Sequence, residues 1–341
     1  MQNLSKLLTK NYLLIKLIFD LIKRYFNTIK FLKFYQILYR IKKYFIKTSV
    51  IKKNLPIKKN NFFSFEEIYW RDEVINGSSF TFLNINKEVI TKDDWNNKNF
   101  TKLWLYNLHY FDFLNSKNHK IFIERNKKII YKWIDENDPF EGVGWEPYPS
   151  SLRIVNWIRW LILSKISDKK IEKSLALQIR WLNKNLEYDL LGNHLMANAK
   201  ALVFGGFFFK NLEAENWKNK GIRILNEQLK EQILNDGAHF ERSPMYHCII
   251  LEDLLDLNNL ISSNKFISEK NLEKKLKFYS RKMLVWINKI SHPDGKIPFF
   301  NDATFGITSE VSFLREYYYR MNKNLKLKEK KSDTLQKSGF R

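Results

Sequence analysis

The chain has 341 residues, 44% of them hydrophobic and 16% aromatic, which is enough apolar side chain for a large buried core and makes it a globular protein. Only 11 Gly and 7 Pro punctuate it, too few turn makers for a sandwich or barrel of many short strands, and the single Cys248 excludes a disulfide framework or a Cys-based zinc cluster. A formal charge of +23 raises the question of a polyanionic partner, nucleic acid included.

The charge is uneven. Met1 to Asn61 carries thirteen Lys and two Arg against one acid, Asp20, a net +14 that leaves +9 for the other 280 residues. Within NYLLIKLIFDLIKRYFNTIKFLKFYQILYRIKKYFIK no uncharged run reaches the roughly 18 to 20 residues of a membrane span, so no transmembrane helix is expected. Lys16, Asp20, Lys23 and Arg24 break the apolar stretch and no small-residue cleavage site follows, which argues against a secretory signal. Apolar residues recur at spacings of three and four with Lys between them. This pattern suits a basic amphipathic helix at an anionic membrane surface, and equally a solvated helix packed on the rest of the protein.

Asn54 to Asn61, with Pro56 and two lysines, reads as a linker. FTFLNINKEV, Phe80 to Val89, carries a strand signal after Asn76-Gly77. From about Trp95 onward the pattern is helical. Ile154, Val155, Trp157, Ile158, Leu161 and Ile162 share one face of a helix that starts after PYPSS, with Ser150 or Ser151 as its cap. Further helices are expected over Ile121 to Glu136, Ile171 to Asn185, His194 to Phe209, Trp217 to Leu234, Met245 to Ile261 and Leu272 to Ile290. No βαβ alternation appears, which excludes a doubly wound sheet, and no repeat period supports a regular solenoid. The expected architecture is all-α, a stack or ring of antiparallel helix pairs over 62–330, with a basic arm and linker over 1–61 and, over 331–341, a linker and the truncated start of a further domain.

The loops hold the unusual residues. WLYNLHYFDFL, Trp104 to Leu114, sets Asn107, His109 and Asp112 among Trp104, Tyr106 and Tyr110, and GWEPYPSSLRIVNW, Gly144 to Trp157, is similarly rich in aromatics and polar groups, Trp145 and Arg153 among them. Rings beside amides and cations suit a sugar, whose C–H face stacks while its hydroxyls hydrogen-bond; an aromatic core accounts for most of the same rings. GNHLMANAK, Gly192 to Lys200, places Asn193 and His194 at a helix start, where unpaired N–H groups favour an anion such as a carboxylate; Asn193 as a simple cap and His194 as a packed ring fit as well. DGAHFERSPMYHCIILEDLL, Asp236 to Leu255, crowds His239, Glu241, Arg242, Tyr246 and His247 around a Ser-Pro helix start. A cation beside Tyr246 would lower its pKa and suit it to general acid or base work. His239 and His247 lack companions at metal-ligand spacing, so no metal is expected there. SHPDGKIPFFNDATFG, Ser291 to Gly306, contains Asp294, Asn301 and Asp302, which a turn at Asp294-Gly295 largely explains.

These clusters, in this order, resemble the heparinase II/III-like polysaccharide lyases, in particular their N-terminal helical domain. The segments that carry the resemblance are WLYNLHYFDFL, GWEPYPSSLRIVNW, GNHLMANAKALVFGG, DGAHFERSPMYH and PDGKIPFFND. The resemblance implies an incomplete α/α toroid followed by a β-sandwich, and cleavage of an acidic polysaccharide such as heparan sulfate or alginate by β-elimination. It implies further that Asn193 and His194 neutralise a uronate carboxylate and that Tyr246 moves a proton. Trp104, Asn107, His109, Tyr110, Trp145, Arg153, His239, Glu241, Arg242 and His247 are the expected substrate contacts. A further catalytic histidine, and in some members a metal, belongs to the β-sandwich, so no cofactor is expected in this chain. The sequence ends in SGFR, Ser338 to Arg341, which leads to the expectation of a truncated or split lyase completed by a separately encoded sandwich half. The alternatives are a noncatalytic acidic-polysaccharide-binding module and a basic membrane-surface or nucleic-acid-binding protein. This last reading ranks lowest, because it explains the arm but not Asn193, His194 and Tyr246, and zinc-finger and Gly-rich phosphate-loop signatures are absent. Relatives imply a periplasmic or membrane-associated location, and the residues themselves leave the compartment open.

Overall fold

A computed structural model describes residues 2–45, 57–58, 64–68, 72–264, 269–322, 335 and 337–339. It divides into two compact units, Met1–Ser49 with Tyr188–Leu190, and Val50–Glu187 with Leu191–Arg341. In the first, α1 (Gln2–Ile29) and α2 (Phe34–Phe45) follow one another through a short turn. The Gln36 side chain accepts from Lys33 N at 2.9 Å at the start of α2 and donates through Nε2 to Asp189 O at 3.2 Å. Lys43 pairs with the Asp189 carboxylate at 2.6 Å, and Tyr39 lies against Tyr188 with ring centroids 4.7 Å apart. Among the described residues no helix is long and apolar enough to cross a membrane.

The second unit opens with short strands. Of the expected linker Asn54 to Asn61 only β1 (Ile57–Lys58) is described; the rest lies outside the described residues, as does most of 331–341. A three-stranded antiparallel meander follows, β2 (Ile75–Asn76), β3 (Ser79–Phe82) and β4 (Ile85–Glu88). The expected single strand Phe80 to Val89 is therefore a hairpin: Leu83 and Asn84, at φ of 55° and 60°, turn the chain between Phe82 and Ile85. Two consecutive positive-φ residues make the tight turn whose twist matches paired strands.

The body of this unit is helical: α3 (Lys102–Tyr110), α4 (Ile123–Glu136), α5 (Pro147–Leu163), α6 (Lys169–Lys184), α7 (Gly192–Phe208), α8 (Leu212–Gln232), α9 (Pro244–Ser263), α10 (Lys270–Ile290) and α11 (Val311–Met321). A two-residue strand, β5 (Phe209–Lys210), leaves α7 and pairs antiparallel with β1. Successive helices pack as antiparallel pairs, α7 on α8 and α9 on α10, and the fold is an incomplete α/α toroid as expected. α5 begins at Pro147, not after Ser151. Proline is favoured in a first turn because its missing N–H costs nothing there, and Ser150 and Ser151 instead bond back to Gly144 O and Pro147 O from inside the helix.

α7 is the central helix. Every residue from Leu195 to Phe208 is buried, as expected of a helix apolar on all sides, and α5, α6, α8 and α9 surround it. Gly206 and Gly221 let α8 approach: a Cβ on Gly206 would lie 2.6 Å from Lys218 N, and one on Gly221 2.8 Å from Ala199 O. Only the first turn of α7, Gly192 to His194, is partly open, so the helix delivers those residues to the surface from a rigid core.

Candidate active site

The N-terminal turns of α7 and α9 meet at a cleft of about 390 Å³, lined by Asn193 and His194 from one helix and Tyr246 from the other. Local sequence sets both turns. α7 starts through two positive-φ residues, Leu191 at 67° and Gly192 at 56°, and a Cβ on Gly192 would come within 3.1 Å of Glu241 Oε1, so glycine there relieves both backbone and side-chain crowding. α9 starts at Ser243-Pro244, where Ser243 Oγ caps Tyr246 N at 3.2 Å and donates to Asp302 O at 2.6 Å. That cap fixes Tyr246 in the first turn, and its hydroxyl donates to Asp302 Oδ2 at 3.2 Å.

The neighbour of Tyr246 is thus a carboxylate, and the expectation of a cation that lowers its pKa is corrected. Partial burial, the Asp302 charge with its hydrogen bond, and Glu241 all push the phenol above its ordinary value and keep it protonated. His194 is held through Nδ1, 3.0 Å from Glu187 Oε1, while Asn198 Nδ2 supports Glu187 Oε2 at 2.9 Å. The imidazole lies over Tyr148 with centroids 4.4 Å apart, and Asn193 Nδ2 reaches Tyr148 Oη at 3.5 Å. Burial drives the Tyr148 phenol well up, with Asp253 adding to it. Asn107 and Tyr110 also line the cleft, Tyr110 meeting Tyr148 edge to face.

The floor is a buried ionic cluster. Lys200 Nζ lies 2.7 Å from Asp253 and 2.6 Å from Asp256, Arg159 lies 3.3 Å from Asp256, and Tyr317 donates to Asp256 Oδ1 at 2.9 Å. Burial disfavours the Lys200 ammonium, but the two carboxylates outweigh it and hold the group above the usual lysine range. Burial raises Asp253; Asp256 is drawn down against its own burial by Arg159 and Lys200.

Several expected contacts belong to the interior instead. Trp104 is fully buried, donates to Ile85 O and packs on Phe82. His109 is fully buried between Trp95 O and Trp133 Nε1, and Trp145 is buried against Trp133. Arg153, also fully buried, bonds to Gln178, His109 O and Ser150 with its guanidinium over Trp133, so it ties α3, α5 and α6 together. His239 bonds to Gln232, and His247 to Met283 O against Trp286. Side chains without surface cannot touch a polysaccharide; these brace the walls. Glu241 and Arg242 are exposed beside the α7 start without lining the cleft.

Lys200, Asp253, Asp256, Glu187 and Tyr148 are functional neighbours beyond the sequence expectations, and the turn at Asp294-Gly295 does not account for Asp302, which bonds to Ser243 and Tyr246. Helical spacing carries the missing signal: Asn193, Ala197 and Lys200, and Tyr246, Ile249, Asp253 and Asp256, are each one face of a helix and all line the cleft. Among the described residues no group of three or more His, Cys, Asp or Glu is placed to hold a metal ion.

A family model described as "Heparinase II/III N-terminus" matches residues 94–327. The chain is similar to a heparin-sulfate lyase of Bacteroides stercoris, 31% identical over 131 residues that cover 38% of this chain and 19% of the relative. It is similar to a second heparin-sulfate lyase, from Bacteroides thetaiotaomicron, at 27% over 215 residues, covering 53% of this chain and 29% of the relative. Thus the chain spans less than a third of the length of these relatives. Among solved structures, a heparan sulfate lyase of Pedobacter heparinus is 21% identical with a TM-score of 0.44, covering 66% of this chain and 38% of that one. A heparinase III is 19% identical with a TM-score of 0.46, covering 85% and 48%. With the family model spanning more than half of its residues, the chain belongs to the heparinase II/III family through that family's N-terminal domain.

Proposed function

We propose that this chain is the carboxylate-binding and proton-donating part of a polysaccharide lyase that cleaves a uronate-containing glycan by β-elimination. The observation that carries the assignment is the opening of the Asn193-His194 turn and the Tyr246 turn onto one cleft. Loss of the C5 proton builds charge on the uronate carboxylate. The Asn193 amide and the His194 ring, held through Nδ1 by Glu187, would donate to that charge most strongly in the enolate-like state, which is what lowers a barrier. The electron pair then forms the C4–C5 double bond as the C4–O bond breaks, and a protonated Tyr246 gives its proton to the departing oxygen. From the family resemblance, the base that takes the C5 proton is expected in a following β-sandwich, and any metal of that domain would sit outside the residues described. The relatives named as heparin-sulfate lyases support the lyase class.

The test is to incubate the chain, joined to a β-sandwich half that supplies the base, with heparan sulfate, alginate and a neutral glycan and follow the ultraviolet absorbance of the unsaturated uronate, with binding measured in parallel by calorimetry. Absorbance gained only with uronate polymers is the expected result. Binding of the acidic polymers with no absorbance change would assign a noncatalytic binding role, and no binding at all would remove the polysaccharide assignment.

A further inference from the structure

The first unit leaves large apolar side chains in water along both of its helices. At 100° per residue, Ile15, Ile18, Ile22, Tyr25, Phe26 and Ile29 fall on one face of α1, and they are between 48% and 68% exposed. Lys16, Lys23 and Arg24 fall on the other side. In α2 the inversion is explicit. Its polar residues Gln36, Arg40 and Lys43 make the hydrogen bonds and ion pair to Asp189, while Phe34, Leu38, Ile41 and Phe45 are 48% to 76% exposed. A helix that only packed on its own chain would turn these faces the other way, because each large apolar side chain gains most by leaving water. Exposed apolar surface of this extent, contiguous along a helix, marks an interaction site.

We propose that α1 and α2 bind flat on an anionic lipid bilayer, with their apolar faces in the headgroup boundary. Charge and composition select this occupant. Residues 1–61 hold fifteen cations and one acid, which complements an anionic surface. The apolar faces are rich in Phe, Tyr and Ile, residues suited to the interface. Neither helix is apolar enough to cross a membrane, so both lie on it. A polyanionic glycan would use the cations and leave the apolar faces in water, and a protein groove would not call for the excess of positive charge.

The experiment uses the full chain in a flotation assay with vesicles of phosphatidylcholine alone and of phosphatidylcholine with phosphatidylglycerol. Recovery with the anionic vesicles, weakened by added salt, and little recovery with the neutral ones is expected. The double variant Ile18→Glu, Ile22→Glu should lower partitioning about a hundredfold, and Leu38→Glu, Ile41→Glu similarly. The triple variant Lys16→Gln, Lys23→Gln, Arg24→Gln should lower it about tenfold or more. Unchanged melting temperature and far-ultraviolet circular dichroism show that these exposed substitutions leave the fold intact. Three outcomes overturn the proposal: no recovery with either vesicle, recovery that survives both pairs of Glu substitutions, which would mark a charge-only site for polyanions, or concentration-dependent self-association abolished by the Glu variants without vesicle binding, which would mark an interface between copies.

Discussion

Tyr246 and Asn193 sit on the same cleft but have different tasks in the proposed reaction, and their variants should separate them. Tyr246→Phe removes one hydroxyl, the group that would give its proton to the leaving oxygen, so turnover should fall by about a hundredfold or more with binding nearly unchanged. Asn193→Ala removes a donor to the carboxylate in both ground and transition states and should weaken binding and turnover together. Steady-state rates beside calorimetric binding check both, and a Tyr246→Phe enzyme as fast as the parent would end the proton-transfer role. Lys200 answers to stability instead. Lys200→Met leaves Asp253 and Asp256 facing each other without their shared cation, and loss of one partner from such a buried set typically costs about 3 to 5 kcal/mol. A melting temperature unchanged in that variant would show the cluster to be better hydrated than its burial implies. At this scale the side chains proposed to react are legible because an amide, an imidazole and a phenol at helix starts are chemically conspicuous. The Tyr246 environment was not: its neighbour Asp302 arrives from 56 residues away and reverses the direction of the pKa shift. Rings such as Trp104 and Trp145 were ambiguous for the reason that stacking on a sugar and packing in a core demand the same residue.

Among the helices, periodic apolar residues marked seven of the long segments, while the starts depended on local chemistry that competes. Pro147 opens α5 four residues ahead of the expected boundary, since PYPSS offers both a first-turn proline and two capping serines. The hairpin at Leu83-Asn84 was hidden for a related reason, because leucine is a poor residue at positive φ and carries no turn signal. The α7–α8 pair gives a test of close packing. In an isolated helix Gly→Ala gains about 1 kcal/mol, so propensity alone favours Gly221→Ala. Here the added methyl would stand 2.8 Å from both Ala199 O and Val203 Cγ2, so the two helices must separate at the central element of the fold. Overpacking of this kind costs about 1 to 3 kcal/mol, and the variant should melt below the parent. A higher melting temperature would mean that α8 shifts freely, and that the first turn of α7 is held less rigidly than its buried body suggests.

Across the whole chain, the histidines tie the aromatic interior to pH. His109, His239 and His247 are buried and neutral, each pushed from an ordinary value of 6.5 down to about 3, chiefly by burial, with Arg153 adding to it at His109 and His247 at His239. The unfolded chain protonates each near 6.5, whereas the fold resists doing so until about pH 3. Between those limits the unfolded state binds more protons, so stability rises with pH and is lost as pH falls. Each histidine contributes up to roughly 1.4 kcal/mol per pH unit across that window and nothing further above it. Asp256 acts in the same direction, because its lowered pKa makes its share present at neutral pH and lost in acid. Asp253, raised mainly by burial, acts in the opposite direction but in the carboxylate range. The net expectation is a stability that is flat above about pH 7 and falls steeply toward pH 5. Urea unfolding at a series of pH values measures the slope directly as a proton uptake on unfolding. An uptake of more than one proton near pH 5.5 is expected; a stability that stays level from pH 7 to 5 would show that these imidazoles are protonated in the fold. They would then be charged inside the walls of the cleft, and the neutral hydrogen bonds that brace it at Trp95, Gln232 and Met283 would need a different assignment.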